Sequence, residues 1–198
     1  MEPIVYQNAI ARIILGAAVL AWVLPEVGRG IAASRRGRTG PNLDRGSGRV
    51  IMVALWLSVA AADEIAFHFT GGTIRWGRQE LFAAGVLFMI GGVAFRWHAI
   101  RILGRFFSPV VTVQQEHRVV DRGPYRLIRH PSYSGTLLTM LGYGLALGDW
   151  ASLVFLLACG LSMYGYRVSV EERALLENLG ESYRTYMKRT KRFIPWVF

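Results

Sequence analysis

Cysteine is almost missing from this chain of 198 residues, since Cys159 stands alone. That excludes an intrachain disulfide and any cysteine-based metal cluster. Acidic side chains are scarce as well, 13 Asp and Glu against 23 Lys and Arg, for a formal net charge of +10. No Gly-x-Gly-x-x-Gly follows a strand-like run, and strands do not alternate with helices, so a nucleotide site of the usual doubly wound type is excluded. There is no internal repeat and no low-complexity tract. The stretch "SRRGRTGPNLDRGSGR", residues 34 to 49, is the most linker-like part of the chain, because its Gly, Pro and Ser oppose regular structure.

What the chain does have is apolar sequence: 53% of residues are hydrophobic, and the mean hydropathy is +0.31. A bilayer crossing needs about 17 to 25 mostly apolar residues. Five stretches approach or reach that length: Ala9 to Val27, Val50 to Phe69, Leu81 to Phe95, Tyr133 to Leu147, and Trp150 to Tyr166. The expected fold is an all-α, polytopic integral membrane protein with five transmembrane helices. Only Gly148 and Asp149 separate the last two, which are therefore expected to form a helical hairpin. Its glycines, Gly135, Gly142 and Gly144 against Gly160 and Gly165, would let the two backbones approach closely. Glu2 and Arg12, at the start of the first apolar stretch, argue against a cleaved signal peptide.

The positive charge follows the connections between spans. All Lys and Arg residues except Arg12, Arg75 and Arg78 fall on one side of the membrane if the amino terminus is outside and the carboxyl terminus is cytosolic. The positive-inside bias selects that orientation. It also accounts for the charge without a nucleic-acid partner, leaving membrane lipids as the polyanion these residues meet.

Polarity collects in two cytosolic blocks that flank the hairpin. The first, residues 108 to 135, ends in "LIRHPSYSG". Pro131 keeps His130 out of helical geometry and suits the first turn of the next helix. Open N–H groups at that helix start, beside His130 and Tyr133, are expected to favour a carboxylate or phosphate. Within the same block "VVTV" is β-prone and "RGPY" is a turn. The second block, residues 166 to 189, is expected to prolong the last span into an amphipathic helix in which Arg167 and Glu171, four apart, share a face. Leu175, Leu179, Tyr183 and Met187 carry the helical period on.

Arg129-His130-Pro131-x-Tyr133-x-Gly135, a hydrophobic hairpin, and then Glu171-Glu172 is a pattern that resembles the isoprenylcysteine carboxyl methyltransferase family, with relatives among phospholipid methyltransferases. Spacing and order agree from about Arg96 to Pro195, including "GPY" at 123 to 125 and "RFIP" at 192 to 195. The resemblance implies one membrane methyltransferase domain over residues 1 to 198. Residues 1 to 95 hold the first three spans, and 96 to 198 form the cofactor-binding and catalytic portion. It further implies S-adenosylmethionine as cofactor, no metal, and a lipophilic methyl acceptor entering from the bilayer. Cofactor contacts would come from Gln114, His117, Val120, Tyr125, Arg129, His130, Pro131, Tyr133, Glu171 and Glu172. Arg167 would be the catalytic and acceptor-binding residue.

These residue types suit that chemistry. The cofactor's ammonium needs an acid, for which Glu171 serves, and its carboxylate needs donors near His130. Tyr125 or Tyr133 can pack on adenine or face a sulfonium. Arg167 stays charged and grips a carboxylate at two points. The first activity expected is carboxyl O-methylation of an isoprenylcysteine-like acid. Methylation of a phospholipid amine or of a small lipophilic thiol, and a non-catalytic scaffold of the same fold, stay open. A haem protein is disfavoured, because His68 and His98 lie near opposite ends of their spans. Asp63 and Glu64, ionisable within a span, are expected to pair with Arg75 or Arg78 in a structural role.

Overall fold

The structure, a computed structural model, describes residues 3–35, 47–108 and 119–195. Among the described residues seven α-helices follow one another: α1 (Ile4–Gln7), α2 (Ala9–Arg35), α3 (Ser47–His68), α4 (Arg78–Leu103), α5 (Pro131–Leu147), α6 (Trp150–Leu179) and α7 (Glu181–Arg189). Among the described residues there is no strand, and the β-prone "VVTV" lies outside them. Four helical stretches among these residues are long and apolar enough to cross a bilayer: Ala9–Ile31, Val50–His68, Arg78–Phe106 and Trp150–Leu179. Their outward faces carry Ile10, Ile13, Leu57, Leu87, Val154 and Leu161, all exposed. A ring of exposed apolar side chains on this scale is a surface for lipid.

As expected, the helix is prolonged beyond the last apolar run: α6 extends over 30 residues, Trp150 to Leu179, because the Glu, Arg, Ala and Leu after Tyr166 are strong helix formers. One expectation needs correction, since a single amphipathic helix does not carry the period to Met187. Gly180, at φ +55, breaks the rod, and α7 sets off in a new direction with Tyr183 and Tyr186 buried.

Helices α5 and α6 run antiparallel after a turn in which Gly148 adopts φ +66. Asp149 caps α6 by accepting from the Ser152 N–H at 2.8 Å. The glycines, however, serve a different neighbour from the one expected. A Cβ at Gly135 would lie 2.7 Å from the Gly92 carbonyl, and one at Gly142 would lie 2.5 Å from the Gly85 carbonyl, so both face α4. Gly85 and Gly92 recur at the same seven-residue spacing as Gly135 and Gly142, and the two seams interlock. Between α5 and α6 only Gly144 and Gly160 make close approaches, to Leu153 and to Met140, while a Cβ at Gly165 would meet nothing within 4 Å.

Asp63 also departs from expectation. It accepts hydrogen bonds from the hydroxyls of Tyr143 and Tyr6, rather than pairing with Arg75 or Arg78. Arg78 instead donates to Gln7 at 3.3 Å, and Glu64 sits 3.1 Å from His68 on the exposed surface. A tyrosine hydroxyl satisfies a buried carboxylate without bringing a second charge into an apolar region.

Candidate active site

The "RHP" run is held by the chain's tail. Arg129 N–H donates to the Lys191 carbonyl at 2.7 Å, His130 N–H donates to Arg192 at 3.1 Å, and Lys191 N–H returns to Leu127 at 3.0 Å. Ser134 adds a bond to the Phe193 carbonyl at 2.7 Å. Just before it, Gly123 at φ +58 and Pro124 start a single 3-10 turn, Gly123–Arg126, which buries Tyr125. The expected open N–H cluster at the start of α5 is reduced: the N–H groups of Tyr133 and Ser134 both turn back to the His130 carbonyl, at 3.0 and 3.1 Å. A first turn that closes on its own cap has fewer donors left for an anion.

Two adjacent carboxylates on α6 have separate occupations. Glu172 is buried and meets Arg129 Nε at 2.7 Å, Arg192 Nη2 at 2.9 Å and His130 Nε2 at 3.4 Å. Arg129 also donates Nη1 to the carbonyls of Met187 and Thr190, closing the end of α7. Glu172 and Arg129 thus tie α6, α7, the tail and the "RHP" run into one frame. Glu171 looks the other way. Its side chain is 29% exposed and 3.8 Å from His130 Nδ1, and it accepts from Tyr133 Oη at 2.8 Å.

Tyr133 is the junction of the site. Its ring stacks between those of His130 and Tyr164, with centroids 5.6 and 4.9 Å away. Arg167 Nε approaches its hydroxyl at 3.4 Å. Tyr125 is buried nearby; burial first, and the Glu171 charge second, push its hydroxyl above the ordinary range, so it stays protonated. The structure therefore brings Tyr125, His130, Pro131, Tyr133, Arg167 and Glu171 together. Val120 is half-buried just ahead of the turn. Gln114 and His117 lie outside the described residues.

Beyond Tyr133 opens a cavity of about 110 Å³. Its apolar wall comes from α2 and α3, through Trp22, Ile51, Met52, Leu55 and Trp56. Its polar end holds Arg167, Tyr133, Thr136 and Tyr164 together with Glu26, Arg29 and Arg96. Arg96 grips Glu26 at two points, Nε to Oε1 at 2.6 Å and Nη2 to Oε2 at 3.0 Å, and donates Nη1 to the Ser132 carbonyl at 3.0 Å. Sequence reasoning passed over Glu26, Arg29 and Arg96. The available signal was an acid near the end of one apolar run and an arginine closing another, since ionisable groups in spans are rare.

The comparisons with known proteins follow from the same stretch. The profile of the "Isoprenylcysteine carboxyl methyltransferase (ICMT) family" matches residues 85–177. The chain is 30% identical over 136 residues to protein-S-isoprenylcysteine O-methyltransferase B of Arabidopsis thaliana, covering 68% of this chain and 67% of that protein. The chain belongs to the isoprenylcysteine carboxyl methyltransferase family. Relatives called protein-S-isoprenylcysteine O-methyltransferase from Schizosaccharomyces pombe and Rattus norvegicus are 30% and 31% identical, and the match covers 48% of each. The chain therefore spans from about half to two thirds of these relatives' lengths. A solved structure of a eukaryotic intramembrane Ras methyltransferase, an isoprenylcysteine carboxyl methyltransferase, shares the fold with a TM-score of 0.56 at 23% identity, over 75% of this chain and 52% of that one. The family match ends before the tail that clamps "RHP", and it starts after both helices that wall the cavity.

Proposed function

We propose that this chain is a membrane methyltransferase that uses S-adenosylmethionine to methylate the carboxyl group of an isoprenylcysteine-like lipophilic acid. The observation that carries the reading is the position of Tyr133: it lines the cavity, approaches Arg167, and is hydrogen-bonded to Glu171, which does not line the cavity. One aromatic side chain thus stands between the carboxylate assigned to the cofactor and the apolar cavity assigned to the acceptor.

The residues present fit the cofactor. Glu171 offers a partly exposed carboxylate to an ammonium, and Tyr125 and Tyr133 offer rings to adenine or to a cationic sulfur. His130 and Pro131 shape the floor. When bound, S-adenosylmethionine supplies a methyl group on a sulfonium whose charge vanishes as an acceptor oxygen takes the carbon. Arg129 and Glu172 act through the frame, by holding His130 and the start of α5 in place. Val120, Gln114 and His117 complete the cofactor side in this reading.

Arg167, buried on α6, holds the acceptor carboxylate with its oxygen towards Tyr133. A carboxylate is already ionised near neutral pH, so the acceptor needs no general base. Orientation and exclusion of water supply the rate. The lipid tail lies along Trp22, Leu55 and Trp56, and reaches the bilayer between α2 and α3. In this reading α5, 17 residues long and about 26 Å at ~1.5 Å per residue, makes the fifth crossing. The amino terminus is outside, and the carboxyl terminus and active site are cytosolic.

The test uses purified protein, methyl-labelled S-adenosylmethionine and N-acetyl-S-farnesylcysteine, with calorimetry of S-adenosylhomocysteine binding alongside. The expected product releases labelled methanol in base, as a methyl ester does. Label that survives base would favour an amine or thiol acceptor. Absence of both label and binding would remove the reading.

A further inference from the structure

The cavity carries more positive charge than methylation of one carboxylate uses. Among the described residues three arginines line it, Arg29, Arg96 and Arg167, against the one carboxylate of Glu26. Arg96 takes both oxygens of that carboxylate. Arg29 is fixed separately: its Nη2 pairs with Glu26, and its guanidinium lies 4.5 Å above the Trp97 ring. That placement leaves Arg29 Nη1 buried, with no hydrogen-bond partner among the described residues. A guanidinium N–H cut off from both water and an acceptor is costly, yet the stacking and the ion pair hold it there. An acceptor atom brought into the cavity would satisfy it. Arg29 on α2 and Arg167 on α6 line the same cavity, each offering donors to a different part of what enters it.

We propose that Arg29 is a second acceptor-binding residue, which takes a carbonyl or carboxylate oxygen of the acceptor's head other than the carboxyl that is methylated. The inference rests on the methyltransferase reading above and narrows its substrate class. The preferred acceptors are lipophilic acids with an acylated amine or a second carboxyl beside the reacting group, ahead of simple lipid acids. Residue 29 lies outside the 85–177 stretch that matches the family profile, so its role is set by the wall that α2 adds.

Two probes with the same prenyl tail separate the possibilities: N-acetyl-S-farnesylcysteine, which has a carboxylate and an amide carbonyl, and S-farnesyl-3-thiopropionic acid, which has the carboxylate alone. Binding to the full-length protein in detergent is read from tryptophan fluorescence, since Trp22 and Trp56 line the cavity. The unaltered protein is expected to bind the first probe about tenfold more tightly, the worth of one charge-assisted hydrogen bond. Arg29→Met should abolish that preference by weakening the N-acetyl probe about tenfold, with a change below about twofold for the thiopropionate. Arg29→Lys keeps the charge beside Glu26 without the forked second N–H; it should lose the preference too, and it decides the matter if the Met variant does not fold. Glu26→Gln should weaken both probes in parallel. Equal binding of the two probes by the unaltered protein, or parallel weakening by the Arg29 variants, overturns the inference and leaves the methyltransferase reading standing. Failure of both probes to bind removes the inference and the methyltransferase reading together.

Discussion

Tyr133 Oη donates to Glu171 Oε2 at 2.8 Å, and Arg167 approaches the same hydroxyl at 3.4 Å. One hydroxyl therefore couples the acid assigned to the cofactor with the cation assigned to the acceptor. Tyr133→Phe removes that coupling and keeps the ring stacked between His130 and Tyr164. Single-turnover methyl transfer is expected to fall roughly tenfold to a hundredfold, for about 1.5–3 kcal/mol of lost charge-assisted bonding. S-adenosylhomocysteine affinity should change by less than about threefold. A large loss of S-adenosylhomocysteine affinity, with the transfer rate at saturating cofactor unchanged, would reverse the assignment.

Glu171 and Arg167 are expected to separate binding from transfer. Glu171→Ala deprives an ammonium of its partner, and calorimetry should find no S-adenosylhomocysteine binding in the range where the unaltered protein saturates. Arg167→Ala should leave that binding nearly unchanged while transfer drops by about a hundredfold or more. Full binding by both variants would show the roles to be wrong.

Glu172, beside Glu171 in sequence, should behave as a fold residue. Its removal leaves largely buried Arg129, and partly exposed Arg192, without the carboxylate that joins them. Breaking a buried pair in this way costs about 3–5 kcal/mol. Glu172→Ala is expected to unfold at markedly lower temperature in detergent. Arg129→Ala should do the same, and the double variant should lose less than the sum of the two because they share one network. Stability equal to the unaltered protein would refute the frame.

How much of this was legible in the sequence depends on distance along the chain. His130, Pro131 and Tyr133 stand within four residues, and Arg167 and Glu171 share a helix face, so each half of the site could be read locally. Glu26 and Arg96 are 70 residues apart, and nothing in either span names the other. The glycines of α5 announced a close helix neighbour but not which one; α4 was found only by matching the spacing of its own glycines in space. Hydropathy marked where the apolar run of α6 fades, not where the helix ends, because helix formers continue to Leu179. Asp63 was read as needing an arginine, since a charge calls for its opposite, whereas two tyrosine hydroxyls suffice.

Topology can be tested independently of chemistry. Arg29, Arg96 and the "RHP" block gather at one end of the bundle, while Asp63 and Asp149 lie at the other. With the basic end cytosolic, a tag before Met1 should be labelled by a membrane-impermeant reagent in intact cells, and a tag after Phe198 only after lysis. The opposite pattern would invert the orientation and place the cavity's polar end outside.

The seam between α4 and α5 sets the spacing of the whole site, because Arg96, one turn beyond Gly92, reaches the Ser132 carbonyl across it. A Cβ at Gly92 would come within 2.6 Å of the Gly135 carbonyl, a backbone atom that cannot step aside. Gly92→Leu should therefore force the helices apart at a cost of about 1–3 kcal/mol or more, seen as a lower unfolding temperature. It should also move Arg96 off Ser132 and Glu26 and weaken acceptor binding. Gly165→Ala is the control, since a Cβ there meets nothing within 4 Å; it is expected to be neutral or to gain up to about 1 kcal/mol from helix propensity. If Gly92→Leu and Gly165→Ala unfold alike and bind acceptor alike, the seam does not hold the site together.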